Sequence, residues 1–194
     1  MIQPQQNITR GNLGNKIAIV GVAGAGKSTL AMQLEIELNL PVYYTDQFSW
    51  ANGWGKAKSN DEILNYVDNI LQKPEWLIEG YLGYTQLPDK RLQAADFVIV
   101  LDYSRLRLAW HILKRSFQYH NKKRPEMPEI CIEKFGWHTF RWAWKYFNKK
   151  DWRANIDNWI AHVDEKKLLV FKTPQQLNQW LKQNNIGQVK HTAR

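Results

Sequence analysis

Gly21-Val22-Ala23-Gly24-Ala25-Gly26-Lys27-Ser28 decides how this chain reads, because it meets every defined position of the phosphate-binding pattern G-x-x-x-x-G-K-[ST]. The apolar run Lys16-Ile17-Ala18-Ile19-Val20 precedes it and a helical pattern from Thr29 to Leu38 follows. That strand–loop–helix context is what the pattern requires. Glycines at 21, 24 and 26 let the backbone fold round an anion, so that N–H groups along Ala25, Gly26, Lys27, Ser28 and Thr29 point at it. The first helical turn adds unpaired N–H groups and the positive end of its dipole. Lys27 is placed to neutralise the β- and γ-phosphates of a nucleoside triphosphate, and the Ser28 hydroxyl to ligate the accompanying Mg²⁺.

A chain of 194 residues can bury one good core and a small inserted subdomain. No apolar run approaches the roughly 18 residues that mark a membrane span. Residues 1–15 read as a polar extension without a signal peptide, and 185–194 as a loose tail. One cysteine, Cys131, excludes an internal disulfide framework and a cysteine-built metal site. These features predict a cytoplasmic protein with no membrane partner. Charge is unevenly spread: residues 105–153 hold 13 Lys and Arg against four Asp and Glu, which is the whole +9 of the chain. Such a segment attracts phosphates, on a small nucleotide or along nucleic acid. It also carries Trp110, Trp137, Trp142, Trp144 and Trp152; the last four read as packing residues rather than base-stacking platforms.

Beyond the first strand and helix, Pro41-Val42-Tyr43-Tyr44-Thr45 reads as a strand ending at Asp46, followed by a polar, aromatic loop over 47–58. Ser59-Asn60-Asp61-Glu62 is a capping box that opens a helix to about Leu71. Glu75-Trp76-Leu77-Ile78 and Asp96 to Leu101 are further strands, ending at Glu79-Gly80 and Asp102. Residues 104–119 are helical by pattern, with Leu106, Trp110 and Leu113 on one face. Two prolines and three cations make 121–128 a mobile loop by composition. Residues 131–164 read as helix broken near 148–151, and Leu168 to Phe171 as a last strand. Thr173-Pro174-Gln175-Gln176 then caps a final helix to about Gln183. Near-continuous apolar strands alternating with helices predict an α/β fold with a parallel sheet covered on both faces. Gly21, Asp46, Glu79, Asp102 and Lys172 then fall at strand carboxyl ends and share one rim, where ligands bind in such sheets.

Phosphoryl transfer needs a metal, cations around the moving charge and something to position the acceptor. Asp46 and Glu79, at the second and third strand ends, are candidates for acceptor orientation, proton acceptance or a water-mediated hold on Mg²⁺. Asp46 can also simply cap a loop, and Glu79 can pair with a cation. Asp102 matches an apolar strand ending in a Mg²⁺ carboxylate but is discounted, because many parallel strands end in Asp merely to begin the next loop. Arg115 and Arg124 flank the basic loop and are candidates for lid cations, whereas Lys122 and Lys123 read as a solvated face. Arg91 lies in the connection ahead of the fourth strand, placed for an acceptor-side phosphate. His111, His120 and His138 lack metal-ligand spacing.

Taken together these residues resemble small bacterial P-loop kinases related to adenylate and shikimate kinases, and within them the topology modulation protein family. The likeness runs from about Lys16 to Leu181. Its carriers are the loop at 21–29, Pro-Val-Tyr-Tyr-Thr-Asp at 41–46 and Glu-Trp-Leu-Ile-Glu-Gly at 75–80. Arg91-Leu92 with Ala94-Ala95-Asp96, Leu113-Lys114-Arg115 and Arg124-Pro125-Glu126-Met127 complete the set. The resemblance implies a nucleoside-kinase-like P-loop NTPase core over residues 16–184, with strand order 2-3-1-4-5 and a helical lid at about 115–130. It further implies adenine beside Lys172 to Pro174, with Asp46 and Arg91 facing the acceptor, where the strand-end position of Glu79 adds a third acceptor-binding candidate, and Arg115 and Arg124 acting from the lid. The chain departs from the family pattern at three places: Glu79 where relatives have Asp, His111 in place of an arginine, and Asn121 in place of the lid glycine.

Three functions follow from these readings. One is a kinase that transfers phosphate from Mg-ATP to a nucleotide or other small-molecule acceptor, working as a monomer or homodimer. The second is a nucleic-acid-associated ATPase docked through the +9 segment, which is less favoured because no nucleic-acid module is present. The third is a degenerate nucleotide-binding switch.

Overall fold

The structure, a computed structural model, describes residues 14–55, 57–80, 90–147 and 154–187, with only the backbone described at 142, 146, 155, 159 and 160. The extension over 1–13, the helix break at 148–151, Trp152 and the tail from 188 lie outside the described residues, as does the side chain of Trp142.

Among the described residues the strands and α-helices follow in chain order: β1 (Lys16–Gly21), α1 (Lys27–Leu38), β2 (Val42–Tyr44), α2 (Thr45–Ser49), α3 (Asn60–Leu71), β3 (Trp76–Glu79), α4 (Lys90–Ala94), β4 (Phe97–Leu101), α5 (Arg105–Gln118), α6 (Trp137–Phe147), α7 (Ala154–Ala161), β5 (Leu168–Phe171) and α8 (Pro174–Gln183), with a 3-10 turn over Glu165–Lys167 just before β5. The strands form one sheet in the order β2-β3-β1-β4-β5, and every neighbouring pair is parallel. Apolar side chains alternate across a strand, yet all four residues of β3 and all four of β5 are buried. Both faces of the sheet are therefore covered, which a parallel sheet with helical crossovers requires. β1 lies at the centre, and Ile17, Ala18, Ile19 and Val20 have no exposed surface at all. Burying each of the isoleucine and valine side chains contributes about 1.5–3 kcal/mol.

Local sequence explains the helix that carries the phosphate loop. α1 buries Lys27, Leu30, Ala31 and Leu34, the i, i+3, i+4, i+7 stripe of a core-facing helix. The capping box opening α3 forms both halves: the Ser59 hydroxyl accepts from the Glu62 amide at 3.2 Å, and the Ser59 amide donates to the Glu62 carboxylate at 2.9 Å. At α8 the Thr173 hydroxyl accepts from the Gln176 amide as expected. Gln176 Oε1, however, reaches past the cap residue to accept from the Lys172 amide at 2.8 Å.

Three expectations are corrected. Asp46 does not open a loop; it lies in the first turn of α2, because Thr45 turns the chain helical directly after Tyr44. Residues 131–136 are not helical; Lys123 and Ile132 bridge in antiparallel fashion instead, and α6 starts only at Trp137. The helix expected over 104–119 is present as α5, and the face that carries Leu106 and Trp110 points outward, 80% and 64% exposed, while α5 buries Leu108, Ile112 and Ser116. Trp137 and Trp144 are likewise not packing residues, being 80% and 75% exposed, because α6 turns Thr139, Ala143 and Phe147 inward. Apolar periodicity identifies a helix and its stripe, but not which side of the helix meets the sheet.

Candidate active site

Gly21, Glu79 and the residues following β2, β4 and β5 all lie at the carboxyl edge of the parallel sheet. The phosphate loop leaves β1 at Gly21 and reaches α1 through Gly26, whose φ of 85° lies in the left-handed region. At Gly24, with φ 81°, a Cβ would come within 2.7 Å of the Leu108 carbonyl oxygen. The loop therefore packs directly on α5, and there His111 Nδ1 lies 2.9 Å from the Gly24 carbonyl oxygen. A carbonyl only accepts, so Nδ1 carries the proton in this contact. Its role was not legible in the sequence, where the histidine stood out only as a substitution for arginine.

Lys27 and Ser28 converge on one carboxylate. Lys27 Nζ donates to the Val22 carbonyl at 3.4 Å and lies 3.6 Å from Glu79 Oε1. The Ser28 hydroxyl donates to Glu79 Oε2 at 3.2 Å. Glu79 ends β3, beside β1 in the sheet, and is 1% exposed. Burial pushes its carboxyl up to about 7; Lys27 opposes that rise and Asp46 adds to it. Glu79 Oε1 has no hydrogen-bond donor among the described residues. A buried carboxylate oxygen of this kind suits a cation or its water.

The turn after Glu79 is held on two sides. Gly80 has φ 145°, and a Cβ there would fall 1.7 Å from Thr45 Oγ1. The Thr45 hydroxyl donates to the Glu79 carbonyl at 3.1 Å, and Arg91, fully buried in α4, donates to the Gly80 carbonyl at 3.1 Å. Arg91 thus sits beneath the β3 turn rather than open on the rim.

Arg115 is in the last turn of α5, with its Nε sealed from solvent and without a hydrogen-bond partner among the described residues. Burial and then Arg124 depress its pKa, while Glu133, Glu126 and Asp46 act in the opposite sense. Asp46 therefore acts on both Glu79 and Arg115, so these groups share one electrostatic neighbourhood. Arg124 is held differently. Its Nε donates to Glu133 at 2.7 Å, an NH1 donates to Glu126 at 2.9 Å, and its guanidinium lies 5.6 Å from the Trp54 ring centre. The 121–128 segment, expected to be loose, is pinned by this clamp and by the Asn121 amide bond to the Glu133 carbonyl. Burial, followed by Glu35, Glu79 and Glu126, raises the pKa of the Tyr44 phenol and keeps it protonated. Glu126 also helps raise the pKa of Tyr44 and Glu79 and opposes the depression at Arg115.

On the other side of β1, Asp102 is buried, its amide donates to the Phe171 carbonyl, and its carboxylate lies 4.0 Å from Lys172 Nζ. Lys172 and Pro174 belong to the β5–α8 turn that Thr173 and Gln176 brace.

No protein-family model and no curated protein matches this chain. Among solved structures, a gluconokinase from Sinorhizobium meliloti superposes with a TM-score of 0.52 at 14% identity, over 89% of this chain and 90% of that one. A shikimate kinase from Bacteroides thetaiotaomicron gives 0.52 at 12% identity, over 86% and 94%. The YorR protein of Bacillus subtilis, solved in complex with phosphorylated GDP, gives 0.50 at 16%, over 88% and 92%. At such identities the likeness is one of fold. The chain has the P-loop NTPase fold in its five-stranded, nucleoside-kinase-like form, with strand order 2-3-1-4-5.

Proposed function

We propose that this chain is a Mg²⁺-dependent phosphotransferase of the cytoplasm that moves phosphate from ATP to a nucleotide or other small-molecule acceptor. The observation that carries the reading is the meeting of Lys27 and Ser28 on the buried Glu79, with Asp46 and Arg115 in the same electrostatic neighbourhood. The loop amides from Ala25 to Thr29, together with Gly21, Gly24 and Gly26, hold the polyphosphate. The turn at Lys172 and Pro174 borders the base. Mg²⁺ would neutralise charge between phosphate groups, with Ser28 and Glu79 holding it or its water.

Each remaining role falls to a residue of the chain. Lys27 places its positive charge on the transferred group. Arg115, whose Nε has no hydrogen-bond partner among the described residues, adds a second cation from the lid region over 115–130. Arg124, clamped by Glu126 and Glu133, orders that lid until the acceptor arrives. Asp46 accepts the acceptor's proton, and Arg91 steadies the turn that carries Glu79 on the acceptor side. The finer resemblance, to the topology modulation protein family, rests on the motifs at 41–46, 75–80 and 124–127.

The test is ADP release from Mg-ATP in the presence of nucleosides, nucleoside monophosphates and polyhydroxy acids. Acceptor-stimulated release supports the kinase reading and names the substrate class. Release stimulated only by DNA, or tight ATP binding with no turnover, overturns it. Asp46→Asn should spare ATP affinity and lower transfer by about a hundredfold or more.

A further inference from the structure

The outward face of α5 and α6 is the largest feature that the proposed active site leaves unused. On α5, Leu106, Trp110, Leu113 and Phe117 recur at i, i+4, i+7 and i+11, one helical stripe. Leu106, Trp110 and Phe117 are 80%, 64% and 71% exposed. On α6, Trp137 and Trp144 form a second stripe with the exposed Arg141 between them. The two stripes are continuous through their rings. Phe117 meets Phe135 edge-on at 5.6 Å, Phe135 meets Phe140 at 5.7 Å, and Phe140 stacks on Trp137 at 6.2 Å. A protein rarely leaves so many large apolar side chains together in water unless something covers them.

Charge selects the occupant. Apart from Arg115, which turns into the proposed site, α5 carries Arg105, Arg107 and Lys114, α6 carries Arg141 and Lys145, and neither helix contains an Asp or Glu. A second copy docked face to face would bring the same cations against these, which disfavours a homodimer through this surface. The partner is therefore anionic. Single-stranded nucleic acid is anionic, but it binds by stacking bases on free ring faces. Here Phe135, Phe140 and Trp137 use faces and edges on one another, and the stripe on α5 includes aliphatic leucines, which offer a base no stacking plane. Trp, Phe and Leu projecting from a helix pair, with Lys and Arg interspersed, match the headgroup zone of a bilayer instead. There the rings sit at the interface and the cations meet lipid phosphates.

We propose that the continuous aromatic and basic face of α5 and α6 docks this chain on the surface of a bilayer rich in anionic phospholipid. The contact is peripheral: among the described residues no helix is long and apolar enough to cross a membrane. It does not depend on the phosphotransfer reading.

Flotation of the full chain with phosphatidylcholine vesicles, with and without phosphatidylglycerol, tests the proposal. The protein should float with the mixed vesicles, stay behind with pure phosphatidylcholine, and be released as salt screens the attraction. Brominated lipid should quench its tryptophan emission. Trp110→Ser with Trp137→Ser should weaken vesicle binding by about tenfold or more. Lys114→Glu with Arg141→Glu should do the same through charge. Far-UV circular dichroism should be unchanged in both, because all four side chains are exposed. Failure to float, or flotation that neither variant weakens, overturns the proposal. So does capture of single-stranded RNA that both variants abolish while vesicles go unbound. A dimer at micromolar concentration that the tryptophan variant dissociates would assign the face to a second copy instead.

Discussion

Lys27 Nζ lies 3.6 Å from Glu79 Oε1, and both side chains are almost sealed from solvent. Lys27, the cation proposed to bind phosphate, thus stands on a carboxylate from the neighbouring strand. Removing it should cost ATP the charge-assisted contacts that such a lysine makes, each about 1.5–3 kcal/mol. Lys27→Ala is therefore expected to weaken ATP binding by about tenfold to a hundredfold, measured by calorimetry on folded protein. Unchanged affinity would show that the nucleotide lies elsewhere.

Glu79 links the site to pH. Its carboxyl is raised from the ordinary 4.5 to about 7, chiefly by burial. The folded state therefore holds the proton more tightly than the unfolded chain does. The resulting stability is fully present below about 4.5 and is lost as pH rises through about 7. Urea melts of the ligand-free protein should show this decline. Glu79→Gln, which cannot titrate, should flatten the curve between those two values. A slope that survives the substitution would assign the titration to another group.

Gly80 and Thr45 form a second pair whose geometry admits a direct check. A Cβ at Gly80 would overlap Thr45 Oγ1 at 1.7 Å, in a backbone conformation that side chains rarely adopt. Gly80→Ala should destabilise the fold by about 2–3 kcal/mol. Thr45→Ala removes the offending oxygen along with its bond to the Glu79 carbonyl. The double variant should then be more stable than the sum of the single effects implies. Simple additivity in chemical denaturation would exclude the clash as the cause.

His111 braces the phosphate loop through the Gly24 carbonyl at 2.9 Å. One neutral hydrogen bond is worth about 0.5–1.5 kcal/mol. His111→Phe should weaken ATP binding by roughly three- to tenfold and leave α5 folded by circular dichroism. His111→Asn, which can still donate, should recover part of the loss. Equal behaviour of the two variants would reduce the histidine to a filler of space.

Much of the fold was legible because it rests on local rules. The loop pattern between an apolar strand and a helix, the capping box at Ser59 and the proline-led start of α8 each depend on residues within a few positions of one another. The carboxyl rim was legible as well, since parallel strands place all their carboxyl ends on one edge. Asp46 shows the limit: a strand end was correct, yet the short helix beginning at Thr45 has no apolar period long enough to announce it. Arg124 shows it again. Its cluster of cations and prolines reads as loose chain, whereas Glu126 and Glu133 neutralise it and fold the segment down.

Sequence alone determined the glycine-rich loop pattern, the order of the five strands and the longer helices between them, and the basic character of residues 105–153. Each of these is a matter of residue type and short-range spacing. Only the tertiary structure decided that Lys27 and Ser28 share Glu79, that His111 holds Gly24, and that the apolar stripes of α5 and α6 face outward. Those relationships join residues far apart in the chain. The side of a helix that meets a sheet is set by how the whole chain packs, and a periodic pattern is the same whichever side that is.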